Sequence, residues 1–287
     1  MCRTADLRRA VLAHNDDSAR ALRAALAARG TVAVNLLSSP GSGKTALLEG
    51  ELALARERGV PVAALTADLA TENDARRLAR SGAPVQQVLT DGLCHLEAVM
   101  LRGYLAGWLP KDTQVLFVEN VGNLVCPAAY DLGESLRVTL ASVTEGEDKP
   151  LKYPTAFGLA QLVLVTKADI AEAVGFDEVA FLANVAQVNP GVEVVFTSAR
   201  SGLGTGVLLE RALAVRDGRE AHRPVMATAP TAFDDPAPDE ASDHGHHRHE
   251  VPHENSPVPE PGRDRDHGHA RDLLGAGAHE HPAVDCP

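Results

Sequence analysis

Short, mostly apolar runs alternate with amphipathic stretches along roughly the first three quarters of the chain. Residues 32–37, 61–65, 114–118, 136–143, 162–166 and 193–197 are mostly apolar segments of strand length and are candidates for buried strands. Between most of them, residues 44–58, 73–81, 96–108 and 176–188 have a helical pattern. Residues 6–29 predict one or two helices with Leu22, Ala25 and Leu26 on the apolar side. Strands alternating with helices predict an α/β fold, a mostly parallel sheet covered by helices on both faces. In such sheets ligands bind beyond the C-terminal ends of the strands, so chemistry is expected there.

The pattern stops near His222. Beyond it come Pro, Asp, Glu, Gly and His with few bulky apolar residues, a composition that buries too little surface to offset ordering entropy. Residues 1–217 are therefore expected to form the folded domain and 218–287 a disordered acidic tail. The formal charge of −12 is concentrated in that tail, and neither part has the basic footprint of a nucleic-acid binder. No apolar run approaches the ~20 residues that span a bilayer. Charges occupy the N-terminal positions where a signal peptide needs apolar residues. These features predict a cytoplasmic protein with neither membrane nor nucleic acid as partner.

After the first strand the chain reads Ser38-Ser39-Pro40-Gly41-Ser42-Gly43-Lys44-Thr45 and enters a helix. A loop at a helix N-terminus aims backbone N–H groups and the helix dipole at one point, where Gly41, Ser42 and Gly43 can wrap a phosphate. Lys44 is expected to reach the β/γ-phosphates and the Thr45 hydroxyl to bind Mg²⁺. The usual P-loop begins with Gly, and Ser38 takes that place here.

Three later strand ends carry candidate chemistry. Asp68 follows the second strand, as a Mg²⁺ or water ligand or, with Thr71, as a cap of the next helix. Glu119 ends the next run and Gly122 follows three residues later, the layout of a γ-phosphate sensor in which Glu119 meets the Mg²⁺ shell. Thr166-Lys167-Ala168-Asp169 predicts a base-reading loop, with Asp169 accepting from guanine N1 and its exocyclic amine. Ser198 and Ala199 are placed beside it. Cys94, His95 and Cys126 offer soft donors suited to Zn²⁺ or Ni²⁺; the alternative is two small buried hydrophobes and a capping histidine.

These motifs resemble the hydrogenase nickel-incorporation GTPases, the HypB family, over about residues 10–215. The resemblance rests on the cradle segment, on Gly92-Leu93-Cys94-His95-Leu96, on Glu119-Asn120-Val121-Gly122-Asn123-Leu124-Val125-Cys126-Pro127, and on residues 145–154 (EGEDKPLKYP). A Ser at the first cradle position also occurs in that family. The resemblance implies a P-loop GTPase, with GTP and Mg²⁺ in the cradle, that gates nickel delivery to the large subunit of [NiFe]-hydrogenase. It also implies a small zinc-containing partner, HypA, nucleotide-promoted homodimerisation, and Cys94, His95 and Cys126 as Ni²⁺ or Zn²⁺ ligands. Two departures stand out. The Cys-rich N-terminal motif of some members is reduced to Cys2, and the histidines lie after the GTPase domain. His244, His246, His247, His249 and His253 head a tail tract suited to weak metal binding. A nickel-buffering protein and a urease-type nickel GTPase are the competing readings.

Overall fold

Every residue of Val32–Ser38 is buried, as a strand covered on both faces requires. This strand, β1, lies near the middle of one seven-stranded sheet with β2 (Val62–Asp68), β3 (Val85–Leu89), β4 (Val115–Glu119), β5 (Leu136–Ser142), β6 (Leu162–Thr166) and β7 (Val194–Phe196). The spatial order is β3-β2-β4-β1-β5-β6-β7, and all neighbouring pairs are parallel. The computed structural model describes residues 2–68, 73–90 and 92–227, without the side chains of 2–9 and Asp68. Residues 69–72, which include Thr71, Asp91 and everything after Ala227, including the tail histidines, lie outside the described residues.

Helices α1 (Cys2–Ala28), α2 (Lys44–Glu57), α3 (Asn73–Ala79), α4 (Ala98–Leu105), α5 (Lys149–Lys152), α6 (Pro154–Gly158), α7 (Glu178–Val188) and α8 (Val207–Arg216) cover the sheet. Leu47, Leu48, Leu52, Leu208 and Leu209 pack with Val34, Leu36 and Phe117 on one face. Leu22, Leu26, Leu101 and Leu105 pack with Ala33, Leu65 and Leu116 on the other. A third cluster joins Phe157, Phe181 and Val185 to Val163 and Val165. Asn15 is buried on the same face of α1 as Leu22 and Leu26, accepts from the Ala98 N–H at 2.9 Å and donates to the Asp131 carbonyl at 2.8 Å. That side chain ties α1 to the start of α4.

The expected elements are present with shifted ends, and the stretch expected over 6–29 is one helix that ends at Ala28. β3 was not anticipated: its sequence, VQQVL, lies at the sheet edge and buries only Val88 fully, so no apolar run marks it. The expected helix over 96–108 contracts to Ala98–Leu105, with Leu96 and Leu109 buried outside it. The chain also stays packed beyond Asp217. His222 Nε2 lies 2.8 Å from Asn189 Oδ1, and Met226 rests against Gly158, where an added Cβ would meet its sulfur. The packed body therefore continues to Ala227.

Candidate nucleotide and metal site

β1 ends at Ser38, and the chain turns through Gly41 (φ 72°) and Gly43 (φ 98°) into α2. Both glycines occupy the left-handed region, where a side chain is strained. The turn holds Lys44 and Thr45 at the first turn of α2, both buried. Lys44 Nζ donates to Ser38 Oγ at 2.7 Å, and Ser42 Oγ donates to the same oxygen at 2.5 Å. Ser38 thus braces the loop with its hydroxyl.

Strand order puts the β4 loop beside this cradle, since β1 pairs with β4 and Leu36 lies opposite Glu119. Thr45 Oγ1 donates to Glu119 Oε1 at 2.7 Å. Glu119 is 4% exposed, and burial pushes its carboxyl above the usual range while the nearby Lys44 charge and the Thr45 hydrogen bond pull it back. Its second oxygen is buried without a hydrogen-bond partner. A hydroxyl beside a carboxylate with a spare oxygen is a hard-donor set that fits Mg²⁺. Gly122 approaches so closely that an added Cβ would lie 3.1 Å from Pro40 Cα, and Asn123 bridges to Ser38. Lys44, Thr45, Glu119, Gly122, Asp74 and Arg77 line one cavity of about 490 Å³. Asp68 closes β2 opposite Leu89, and its side chain is outside the described set.

Across α2, a cavity of about 700 Å³ is lined by Gly43, Thr166, Lys167, Asp169, Ser198 and Ala199 among others. The residues expected to read a base are therefore brought together next to the cradle. Ser198 Oγ donates to Asp169 Oδ1 at 2.6 Å. Thr166 Oγ1 donates to the Ser42 carbonyl at 2.5 Å, and Lys167 Nζ to the Gly41 carbonyl at 2.8 Å. Thr166 thus anchors the base loop to the cradle. Lys167 adopts φ 58°, a conformation that costs about 1–2 kcal/mol outside glycine and persists only where the surroundings impose it.

The soft donors lie past the β4 loop. Cys94 and Cys126 are both free and half-buried. A hydrogen bond with Cys126 raises the Cys94 thiol, helped by burial, while Asn123 draws it down. Cys94 Sγ lies 3.8 Å from His95 Nδ1. The His95 ring stacks on Tyr130 at 3.9 Å, and its Nε2, buried without a hydrogen-bond partner, is 3.6 Å from Glu97 Oε1. Among the described residues no three of His, Cys, Asp and Glu converge closely enough to hold a metal ion. The two thiols and the imidazole are neighbours, not a closed shell.

Residues 32–196 match the CobW/HypB/UreG nucleotide-binding domain. The chain belongs to this family, in its HypB branch. It is 47% identical over 196 residues to the hydrogenase maturation factor HypB of Azotobacter vinelandii, covering 68% of this chain and 64% of that one. The chain thus spans a little under two thirds of that relative's length. The crystal structure of HypB from Archaeoglobus fulgidus superposes with a TM-score of 0.66 at 36% identity, covering 71% of this chain and all of that one. HypB from Helicobacter pylori, solved in complex with nickel, gives 0.66 at 35%, covering 73% and 99%. The fold is that of a P-loop NTPase with the HypB motifs in place. Sequence reasoning missed Asp74 and Arg77 in the first cavity and Arg200 and Thr205 in the second. Arg200 sits two residues after Ser198 and was within reach of the motif; Arg77 has no local signal, because only helix packing brings it to the cradle. No described helix is long and apolar enough to cross a membrane.

Proposed function

We propose that this protein is a GTP-hydrolysing metallochaperone in which nucleotide state gates a nickel cargo destined for [NiFe]-hydrogenase. The supporting observation is one loop. It begins at Glu119 under Thr45, passes Gly122 against Pro40, and reaches Cys126 beside Cys94.

Lys44 and the cradle N–H groups hold the β/γ-phosphates, and Asp169, steadied by Ser198, accepts from guanine. Thr45, Glu119 and Asp68 hold Mg²⁺, which when bound offsets the charge developing on the transferred phosphoryl group. The Gly122 N–H meets the γ-phosphate, so its loss frees the loop. Metal–ligand bonds tolerate only ~0.2 Å, so a loop shift re-sorts Cys94, His95 and Cys126. The incomplete shell is closed in a homodimer, with both Cys94 thiols near the two-fold axis. Ni²⁺ and Zn²⁺ are the ions this soft set accepts. A small zinc protein of the HypA type and the hydrogenase large subunit are the partners. The packed body is the GTPase, and His244, His246, His247, His249 and His253 form a separate, weak metal store.

Calorimetric titration of the full chain with Ni²⁺, with GDP or a non-hydrolysable GTP analogue bound, tests this. The tight site should differ about 5–150-fold between the two states, the tail sites not at all. Identical tight-site affinities refute the gating.

A further inference from the structure

The cavity that receives the phosphates holds a second cation that the motifs do not include. Arg77, on α3, lines it together with Lys44, Thr45 and Glu119. Its guanidinium is held from behind: Nη2 lies 2.6 Å and Nε 3.3 Å from the two oxygens of Glu49 on α2, and Nη1 is 3.7 Å from Asp74. This two-point grip orients the fork, yet Arg77 is 40% and Glu49 33% exposed. Ion pairs so accessible to water are worth at most about 1 kcal/mol. A triphosphate competes well against that grip, because its oxygens offer the same bidentate geometry with more charge. Lys44 shares this cavity with the carboxylates of Glu119 and Asp74, so the Arg77 guanidinium adds a further positive charge for a triphosphate there.

We infer that Arg77 is a built-in arginine finger, which leaves Glu49 for the γ-phosphate and stabilises the charge on its equatorial oxygens as the bond breaks. This rests on the GTPase reading above. In the step, water oxygen bonds to the γ-phosphorus while the bond to the β–γ bridging oxygen breaks. GDP leaves with that electron pair, and the water protons pass to the released phosphate and solvent. Arg77 moves no proton. Glu49 stores the guanidinium at the cavity edge until a γ-phosphate arrives, so GDP, lacking that group, leaves the ion pair intact.

The test compares the full-length protein with Arg77→Ala and Arg77→Lys by GTP turnover, GDP affinity and affinity for GDP with aluminium fluoride, a mimic of the planar phosphoryl group. Removing an arginine finger costs about 10³–10⁵ in kcat. Arg77→Ala should lose that and its aluminium fluoride complex, with GDP affinity kept within about threefold. Arg77→Lys, which keeps charge without the fork, should recover only part. Glu49→Gln should lower the KM for GTP no more than about fivefold. Unchanged turnover in Arg77→Ala, or GDP affinity falling in step with kcat, overturns the finger and leaves the GTPase reading standing. No turnover in the unsubstituted protein overturns both.

Discussion

Glu119 is a residue costly to the fold and, in the proposed function, needed by the site. It is buried, half-satisfied by Thr45, and its folded pKa is raised above the ordinary carboxylate value, chiefly by burial. A raised carboxyl contributes stability that is full below its unfolded pKa and is lost as pH rises through the folded one. Nucleotide-free Glu119→Gln should therefore melt above the unsubstituted protein at pH 8, with the gap closing towards pH 4–5. Parallel melting curves across that range would show that Glu119 does not titrate there. With Mg²⁺ and GTP the order should reverse, since the variant loses the charged oxygen. Asp169 makes a different residue-scale prediction. Its carboxylate accepts from Ser198 and has an oxygen left for guanine. Asp169→Asn places an amide donor against the guanine N1–H, so GTP affinity should fall and xanthosine triphosphate should gain. Equal ATP and GTP binding by the unsubstituted protein would refute the guanine assignment.

At the scale of elements, helix α8 is held by a residue of another helix. Glu51 of α2 is fully buried and accepts from the N–H groups of Gly206, Leu208 and Leu209 at 2.9, 3.4 and 2.9 Å. It caps α8 from outside and fixes the loop that carries Ser198 and Ala199. Glu51→Ala strands these donors in a buried setting, which costs about 2–4 kcal/mol. Urea denaturation should show that loss, and a change below ~0.5 kcal/mol would mean the donors find water. The clamp was invisible in the sequence because Glu51 lies more than 150 residues from its partners. What was legible follows the same logic. Strands β1, β4 and β6 were readable because each is a largely apolar run closed by a motif residue, and β5 because apolar residues alternate at Leu136, Val138 and Leu140. The edge strand β3 and helix α8 were not, since Gln86, Gln87 and the mixed face of α8 take their places from tertiary packing. The cradle, Glu119 and the base loop were legible as local motifs. The approach of Gly122 to Pro40 and the grip on Arg77 depend on strand order, which no local pattern encodes.

For the molecule as a whole, the phosphate cavity and the cysteine pair lie on opposite ends of one loop, so perturbing one end should be felt at the other in a defined direction. Cys94→Ala should abolish the tight metal site and the nucleotide dependence of metal binding while leaving metal-free GTP turnover within about twofold, given additivity for sites without shared partners. A large loss of turnover would mean that the thiol pair also holds the Glu119 loop in place. A chain ending after Ala227 should keep its turnover and lose the weak metal sites, whose occupancy should fall below about pH 6 as imidazoles protonate. The bonds from Thr166 and Lys167 to the cradle carbonyls have one more consequence. In the proposed function they join the phosphate cradle to the base-reading loop, so a nucleotide meets one jaw instead of assembling two. Little ordering is left to do on arrival, and escape requires both contacts to be given up together. For the proposed GTPase, slow exchange of GDP is the expected outcome, and release of labelled GDP far faster than turnover would count against it.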